Sequence, residues 1–325
     1  MRNWRFWVGL IISAVFLYFA FHKVDLRQVI VAFKSVQVGY VLLAIIIYFL
    51  GLWIRAYRWK LLVNPVKPIP NTRLFIILII GYMANNVLPL RMGDIYRAYL
   101  LGKKEQISKS ASLATIVVER LFDGLSMLVF LLIGILALQS LFTSWERTVL
   151  LVSSIILFGM LIVLLLIIWF RSLAESIFHW LARMLPVRIG QKIMHWSTAF
   201  LDGLAVLKSG PVILSVLFYS LLSWLIEAVM YSLVAVSIGM NLPSYASPII
   251  LAVSNLGMMI PSSPGAVGTF EFFAKKSAML FTGDPVSSVS YAILVHVIWV
   301  VPLTLLGLYY MMKEHVSFTI KTTED

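Results

Sequence analysis

The chain has 325 residues, of which 61% are hydrophobic and only 12% are charged. Charged residues make up about a quarter of a soluble domain, so this composition excludes an ordinary soluble fold. Several apolar runs exceed the roughly 18 residues that a helix needs to cross a bilayer. The pattern is not the short alternating segments of a membrane β-barrel. We therefore predict an all-α integral membrane protein.

The net charge of +12 and the lack of cysteine restrict the partners and cofactors of the chain. In a membrane protein an excess of Lys and Arg is expected in cytoplasmic loops, next to anionic lipid. This explains the charge better than nucleic-acid binding does. Without cysteine there is no disulfide, no thiolate metal site and no cysteine nucleophile. We expect no cofactor and no bound metal.

Apolar runs of spanning length occur six times, and two shorter hydrophobic segments lie among them. The first run, residues 5–22, lacks a small-residue cleavage site and is predicted to be a retained signal anchor. Residues 26–37 predict a short interfacial helix. The other long runs are 39–60, 112–138, 148–170, 212–238 and 286–312. The shorter segments, near 73–88 and 246–260, end in the Pro/Gly breaks "LPLRMGD" and "IPSSPGAVG".

The positive charges decide how the two shorter segments are expected to lie in the membrane. If both were full spans, the cationic stretches 103–109 and 171–210 would lie outside the cell. If each segment turns back on the side where it enters, both stretches are cytoplasmic, which the positive-inside rule favours. The same arrangement makes five earlier residues cytoplasmic: Arg55, Arg58, Lys60, Lys67 and Arg73. It predicts six spans, two re-entrant hairpins and cytoplasmic termini, with eight conventional spans as the alternative.

Residues 1–325 are thus expected to form a single polytopic domain of the cell membrane. The first re-entrant hairpin covers about residues 73–103 and the second about 246–283. Three spans separate the hairpins, so they enter from opposite sides. The sequences around Gly93 and Gly265 are also similar to each other. Broken helices at matching positions in two halves of opposite orientation are typical of an inverted-repeat transporter.

The cytoplasmic stretch 171–210 has the pattern of amphipathic helices that lie in the membrane interface. Ile177, Trp180, Leu181 and Met184 share one helical face. A linker on the lipid surface is the simpler interpretation of this pattern. A docking surface for a lipid-modifying enzyme is the alternative.

The run "TIVVERLFDGL" places charged residues near the middle of the span 112–138. Each charge at that depth costs on the order of 2.5–3.5 kcal/mol. Glu119 and Asp123 are four residues apart and repel each other on one helical face, whereas Arg120 can pair with Asp123. The set becomes tolerable if it faces a wet cavity or if a cation or basic residue completes it.

Two more ionisable residues, Glu227 and His296, lie near mid-depth in their spans. Together with Glu119 they are candidates for proton coupling. The alternative is that each side chain satisfies the backbone of a broken helix.

The break in the first hairpin has features of an anion site. Asp94 follows Gly93 and is predicted to cap the short helix "DIYRAYLL". A helix N-terminus inside the membrane offers free N–H groups and a positive dipole end. Arg91 and Arg97 add guanidinium groups, which bind phosphate through two parallel hydrogen bonds, unless they only extend to the interface. The second hairpin has no arginine but carries Glu271 in its first turn.

Three runs occur in the order "NNVLPLRMGD", "ERLFD" and "PSSPGAVGTFE". Together they resemble the transmembrane flippase-like domain of the lysylphosphatidylglycerol synthases, or multiple peptide resistance factors, over roughly residues 5–312. The resemblance implies movement of a lipid between leaflets. It assigns this role to the following residues: Asn86, Pro89, Arg91, Gly93, Asp94, Glu119, Arg120, Asp123, Pro264, Gly265, Gly268 and Glu271. The last span lies close to Asp325, so the aminoacyltransferase activity of the fused proteins is not expected.

A lipid translocase without its own ATPase is the leading hypothesis for the function. An anionic, aminoacylated or polyprenyl-linked headgroup would enter between the hairpins and bind through arginines. The candidate substrate-binding residues are Asn86, Arg91, Gly93, Asp94, Arg97, Glu119, Arg120, Asp123, Gly265, Gly268 and Glu271. Because "PGAVGTFE" lacks the Gly-Lys-Ser/Thr ending of a P-loop, transport is expected to be downhill or proton-coupled.

Two other functions remain open at this point. The first is a membrane enzyme or enzyme subunit that acts on a lipid-linked glycosyl or aminoacyl donor, with Glu119 and Asp123 as acid and base. The second is a non-catalytic partner that holds a separate lipid-modifying enzyme at the membrane through residues 171–210.

Overall fold

The computed structural model is helical throughout the part of the chain that it describes. The described residues are 4–22, 24–88, 92–137, 170–186, 209–260 and 262–318, with scattered positions between 155 and 201. Within them the α-helices are α1 (Trp4–Phe21), α2 (Leu26–Lys34), α3 (Val38–Val63), α4 (Asn71–Val87), α5 (Gly93–Glu105), α6 (Lys109–Ala137), α7 (Arg171–Arg183), α8 (Gly210–Ser237), α9 (Ala246–Gly257), α10 (Thr269–Thr282) and α11 (Pro285–Lys313). A 3-10 turn, Pro264–Ala266, precedes α10.

Three of these helices, α3, α8 and α11, are long and apolar enough to cross a membrane. They have 26, 28 and 29 residues, whereas about 20 are needed to cross the hydrocarbon core. Helix α6 also has 29 residues but carries the charged run in its middle. Residues 7–21 of α1 and the amphipathic helix α2 meet at 80°. Most of the predicted span 148–170 lies outside the described residues.

The remaining core helices are shorter and form two helical hairpins. Helices α4, α5, α9 and α10 have 17, 13, 12 and 14 residues. Arg73 near the start of α4 pairs with Glu105 at the end of α5, at 3.2 Å. The rings of Tyr245 and Phe281, next to the start of α9 and near the end of α10, lie 6.1 Å apart. Each hairpin therefore begins and ends at the same end of the molecule.

The first hairpin closes around Gly93, which approaches α4 too closely for a side chain. A Cβ at Gly93 would overlap the carbonyl oxygen of Gly81 and lie 2.6 Å from the backbone nitrogen of Asn85. The Gly93 N–H donates to Asn85 Oδ1 at 2.8 Å. The predicted cap is wrong: Met92 is the N-cap of α5, and Asp94 lies inside the first turn. Asn85 provides a side-chain acceptor at this terminus, so the Asp94 carboxylate is free to pair elsewhere.

The second hairpin uses Gly268, with φ of 92°, to enter α10. A Cβ at this position would overlap the carbonyl oxygen of Ser13 in α1. Glu271 lies in the first turn of α10, as predicted, and its Oε2 accepts the Gly268 N–H at 2.6 Å. The Ser263 N–H donates to Ser13 Oγ at 2.8 Å. Helix α1 is thus fixed against the second hairpin.

The residues after α11 are fixed against the first hairpin in a comparable way. Tyr96 of α5 donates its hydroxyl to the Ser317 carbonyl at 3.0 Å, and its ring lies 5.3 Å from that of Phe318. Lys104 of α5 pairs with Glu314. The hydrogen bond from Lys104 holds the pKa of the Glu314 carboxyl below its usual value.

The centre of the fold is the antiparallel pair α3 and α8. The Gln37 N–H donates to the Ser237 carbonyl at 2.8 Å, so the start of α3 meets the end of α8. Around this pair, α4 packs on α11 and α9 packs on α6. The contacts α3–α4, α4–α5 and α5–α6 recur as α8–α9, α9–α10 and α10–α11. Each packing contact in one set of four helices thus has a counterpart in the other.

The contact between α4 and α11 can be tested at Gly307. A Cβ there would overlap Met83 Cβ and lie 2.8 Å from Met83 Cγ. Gly307→Ala should therefore lower stability by about 1–3 kcal/mol, the usual cost of overpacking. Gly39→Ala is the matched control, because a Cβ added at Gly39 in α3 would have nothing within 4 Å. Thermal unfolding in detergent measures both, and equal midpoints for the two variants would contradict this packing.

Candidate functional site

Glu119 of α6 is bound by two arginines from other helices. Its Oε1 accepts from Arg58 of α3 at 3.2 Å, and its Oε2 accepts from Arg97 of α5 at 2.5 Å. All three side chains are fully buried. Arg58 also donates to Asp123 Oδ1 at 2.6 Å, so a single guanidinium bridges both carboxylates. The expected repulsion on α6 is thereby relieved, and basic residues complete the charged set.

The structure does not place Arg55 and Arg58 among the exposed charges that flank a span. Both are buried within α3, where Arg55 pairs with Glu227 of α8 and Arg58 also donates to Ser220 Oγ at 2.8 Å. The Arg55 guanidinium lies 3.9 Å from the centre of the Trp224 ring. Their acidic partners are 61 to 172 positions away in sequence, so only the tertiary fold reveals the pairing.

Arg97 is held by an aromatic ring as well as by Glu119. Its guanidinium lies 3.5 Å from the centre of the Trp59 ring, a cation–π contact. The Trp59 Nε1–H is fixed in turn by Thr115 Oγ1 at 2.9 Å. Arg97 Nε and Nη1 have no hydrogen-bond partner among the described residues. Arg97 is therefore held from two sides by Glu119 and Trp59, and its side chain is not part of the wall of the cavity beside Arg120.

Arg120 is the accessible member of the same network. Its guanidinium meets Asp94 of α5 through two contacts of 3.1 Å, the two-pronged geometry that arginine forms with carboxylates. The expected pair with Asp123 is also present, at 3.1 Å. The Arg120 side chain is 40% exposed, whereas Arg58 and Arg97 are fully buried.

A polar cavity of about 290 Å³ lies beside Arg120, between the two hairpins. Its wall comes from α3, α4, α5, α6, α8, α9, α11 and the segment before α10. The charged residues in the wall are Arg55, Asp94, Arg120 and Glu227, and the aromatic ones are Tyr48, Tyr82, Trp224, Tyr231 and Trp299. The breaks of the two hairpins meet here. If Gly265 carried a Cβ, that atom would lie 3.5 Å from the Asn86 carbonyl oxygen.

Both breaks are tied to the middle of α11. Asn86 Nδ2 donates to Thr304 Oγ1 at 3.1 Å, and His296 Nε2 donates to the Gly265 carbonyl at 2.9 Å. Thr304 lies roughly 14 Å from the C-terminal end of α11, and His296 lies roughly 17 Å from its N-terminal end, at about 1.5 Å per residue. The cavity is therefore near half of the length of this helix.

His296 of α11 is in direct contact with Glu271 of α10. The Gly265 carbonyl only accepts, so His296 Nε2 carries a hydrogen. His296 Nδ1 lies 2.5 Å from Glu271 Oε1. The ring of Trp299 stacks on His296 with centroids 4.9 Å apart.

The predicted site residues fall into three groups. Those that line the cavity are Asn86, Asp94, Arg120, Pro264, Gly265 and the proton-coupling candidate Glu227. Those that lie in the surrounding ion pairs or hairpin breaks are Gly93, Arg97, Glu119, Asp123, Gly268, Glu271 and His296. Arg91 and Pro89 lie outside the described residues.

Several residues of the wall were missed by sequence reasoning: Arg55, Asn85, Trp224, Asn255 and Trp299. A signal for Arg55 was present, because an arginine inside an apolar run needs a carboxylate partner. Matching such arginines against Glu119, Asp123 and Glu227 would have indicated a network. The amide and aromatic residues carry no comparable signal, since apolar helices often contain them.

Residues 6–307 match the family described as the lysylphosphatidylglycerol synthase TM region. The chain belongs to this family. The resemblance inferred from the three sequence runs is confirmed, and membership makes the chain a lipid-related membrane protein.

Three curated relatives are archaeal UPF0104 membrane proteins. One from Methanothermobacter thermautotrophicus is 24% identical over 254 residues, which cover 74% of this chain and 75% of the relative. One from Methanocaldococcus jannaschii is 31% identical over 147 residues, which cover 42% of this chain and 44% of the relative. A second from that organism is 29% identical over 189 residues, or 58% of this chain and 75% of the relative. No solved structure matches the chain.

The role of Glu119 as a structural counter-charge can be tested directly. Glu119→Gln leaves Arg97 without a charged partner among the described residues and should lower stability by about 3–5 kcal/mol. Glu175→Gln is the control, because Glu175 pairs with Arg171 on the exposed helix α7. Such an exposed pair contributes only about 0.3–0.5 kcal/mol. Thermal unfolding in detergent compares the two, and a Glu119 variant as stable as the control would contradict the buried network.

Proposed function

We propose that the protein is a lipid translocase that moves a lipid headgroup between membrane leaflets without ATP hydrolysis. The observation that carries this proposal is the polar cavity of about 290 Å³ between the breaks of two helical hairpins. Charged and amide groups gathered at mid-helix depth provide a path for a headgroup that the apolar bilayer itself does not offer. Membership in a family named for a lipid synthase supports a lipid substrate.

The two hairpins are proposed to be re-entrant and to enter the membrane from opposite sides. Helices of 12 to 17 residues are shorter than the roughly 20 residues of a full span. Each hairpin begins and ends at one end of the molecule, and both breaks are tied to the middle of α11. We place the first hairpin on the cytoplasmic side, with both termini also in the cytoplasm.

An inverted repeat of α3–α6 and α8–α11 is the proposed basis of movement. The matching helix contacts of the two sets and the antiparallel pair α3 and α8 support this relation. In transporters of this kind, one repeat rocks against the other around a fixed central site. The cavity would then open first to one leaflet and then to the other.

The mouth of the cavity would let the lipid tails remain in the bilayer. Arg120 is partly exposed there, and the nearby side chains of Ile95 and Met259 are exposed and apolar. Met259 itself lines the cavity. A headgroup would pass Arg120 while its acyl chains slide over these apolar side chains.

Proton coupling is proposed to act through His296 and Glu271. Glu119 and Glu227 are held by arginines, so they are less suited to exchange a proton. The contact between His296 and Glu271 ties the second hairpin to α11, because the same imidazole also holds Gly265. A proton held between the imidazole and the carboxyl would keep this contact closed, and its loss would leave two acceptors facing each other and would loosen the hairpin.

The amphipathic segment 171–210 is proposed to lie on the cytoplasmic lipid surface. Within α7 and the residue after it, the side chains of Ile177, Trp180 and Met184 are exposed, which fits insertion at an interface. The enzyme alternative is weaker, since Glu119 is fully buried between two arginines and is poorly placed to act on a donor. The whole chain would then form a single polytopic domain.

Leaflet exchange in liposomes tests the translocase. The wild type should equalise a fluorescent lipid between leaflets, as read by quenching with an impermeant reductant. Arg120→Ala should slow exchange by about tenfold or more, which corresponds to about 1.4 kcal/mol. Arg183→Ala at the end of α7, away from the cavity, is the matched control and should behave like the wild type. If the protein exchanges none of the lipids tested, the proposal is refuted.

Cysteine labelling tests the hairpins, since the chain has no cysteine of its own. Lys103 of α5 and Lys276 of α10 are both exposed. In intact cells an impermeant maleimide should label Lys276→Cys and should label Lys103→Cys only after the membrane is opened. Labelling of both from outside would refute the re-entrant arrangement.

The proton pair is tested with a pH gradient across the liposome membrane. We expect the gradient to change the exchange rate of the wild type but not that of His296→Gln, which cannot become an imidazolium. His179→Gln on α7 is the control, because His179 is exposed there. An unchanged gradient response in His296→Gln would remove this pair from the coupling mechanism.

A further inference from the structure

The charges in the cavity wall cancel. Arg55 is paired with Glu227, and Arg120 is paired with Asp94. An incoming phosphate would find no unpaired cation among the described residues of the wall, and burying an uncompensated charge is costly. Neutral groups can enter without breaking either pair. The wall therefore discriminates against an anionic headgroup, although it contains two arginines.

Among the described residues, the wall has both a free hydrogen-bond donor and a free hydrogen-bond acceptor. Asn85 Oδ1 accepts from the Gly93 N–H, so its Nδ2 remains as a donor. Asn255 Nδ2 donates to the Leu251 carbonyl, so its Oδ1 remains as an acceptor. Backbone partners fix both amide orientations, and among the described residues neither remaining atom has a partner. Hydroxyl groups both donate and accept, so they can satisfy either atom, whereas a phosphate oxygen only accepts and is repelled by Asn255 Oδ1.

Five aromatic side chains also form part of the wall. Tyr48, Tyr82, Trp224, Tyr231 and Trp299 line the cavity, an aromatic content that is unnecessary for holding phosphate. Their rings combine an apolar face with a polar edge. The C–H faces of a sugar ring stack on such surfaces while its hydroxyls bond to neighbouring amides. At about 290 Å³, the cavity is at the small end of ligand pockets and has room for one small headgroup.

We infer that the cavity takes an uncharged, hydroxyl-rich headgroup, a single glycosyl group on a lipid, in preference to an anionic or zwitterionic phosphate headgroup. This inference rests on the proposed translocase and names the class of its substrate. Trp299 would stack on the sugar, and Asn85 and Asn255 would bond to its hydroxyls. The paired arginines would shape the wall without binding phosphate.

Competition between labelled lipids in liposomes tests the headgroup class. The probes are monoglucosyl diacylglycerol, phosphatidylglycerol and phosphatidylethanolamine with identical fluorescent acyl chains. We expect the glucosyl lipid to exchange at least about tenfold faster than either phospholipid, a difference of about 1.4 kcal/mol. Asn255→Leu should abolish this preference, whereas Asn64→Leu, at the exposed end of α3, should keep it. Faster exchange of either phospholipid would overturn the inference and leave the translocase in place.

A binding measurement separates the inference from the proposed function. In detergent, the same three lipids are added and the unfolding midpoint is measured, since a ligand that binds the native state raises it. The glucosyl lipid should raise the midpoint most, and Asn255→Leu should remove that increase. If the glucosyl lipid raises the midpoint in this way but the protein exchanges no lipid between leaflets, the translocase is rejected and the headgroup class is supported. Equal effects of all three lipids on the wild type would overturn the headgroup class.

Discussion

The fold depends on compensating charges that lie inside apolar helices. Arg58 bridges Glu119 and Asp123, Arg97 holds the other oxygen of Glu119, and Arg55 pairs with Glu227. Removing one member of such a set leaves an uncompensated buried charge, so the members act as a unit. These pairs connect α3, α5, α6 and α8, which are far apart in sequence. The electrostatic requirement thus fixes how the central helices come together.

The same network gives the cavity its character. Arg58, Arg97 and Glu119 are fully buried and do not line it, and of the charged residues in its wall Arg120 and Asp94 are more exposed than Arg55 and Glu227. Aromatic rings support the guanidinium groups, as Trp59 does for Arg97 and Trp224 for Arg55. A wall whose charges are paired in this way can present amides and rings to a headgroup without an unpaired charge among the described residues.

The helical membrane class and most of the long helices were predictable from hydropathy, because apolar runs of spanning length have few alternatives. The breaks near Gly93 and Gly265 were also visible, since proline and glycine mark them in the sequence. The ion pairs were not predictable, because Arg55 and Arg58 lie near the end of a span and look like interfacial anchors. Only their distant partners distinguish the two cases. The prediction of Asp94 as the N-cap of α5 was wrong for a related reason. Asn85 of α4 supplies the acceptor that a local pattern assigned to Asp94.

Each hairpin is fastened by a segment from the opposite end of the chain. Helix α1 is bound to the second hairpin through Ser13, and residues 314–318 are bound to the first through Tyr96 and Lys104. The two hairpins are thus held by separate contacts. A load applied before α1 would act on the second hairpin through Ser13, and a load applied after residue 318 would act on the first hairpin through Tyr96 and Lys104. A fusion partner or affinity tag would therefore pull on a different hairpin at each terminus.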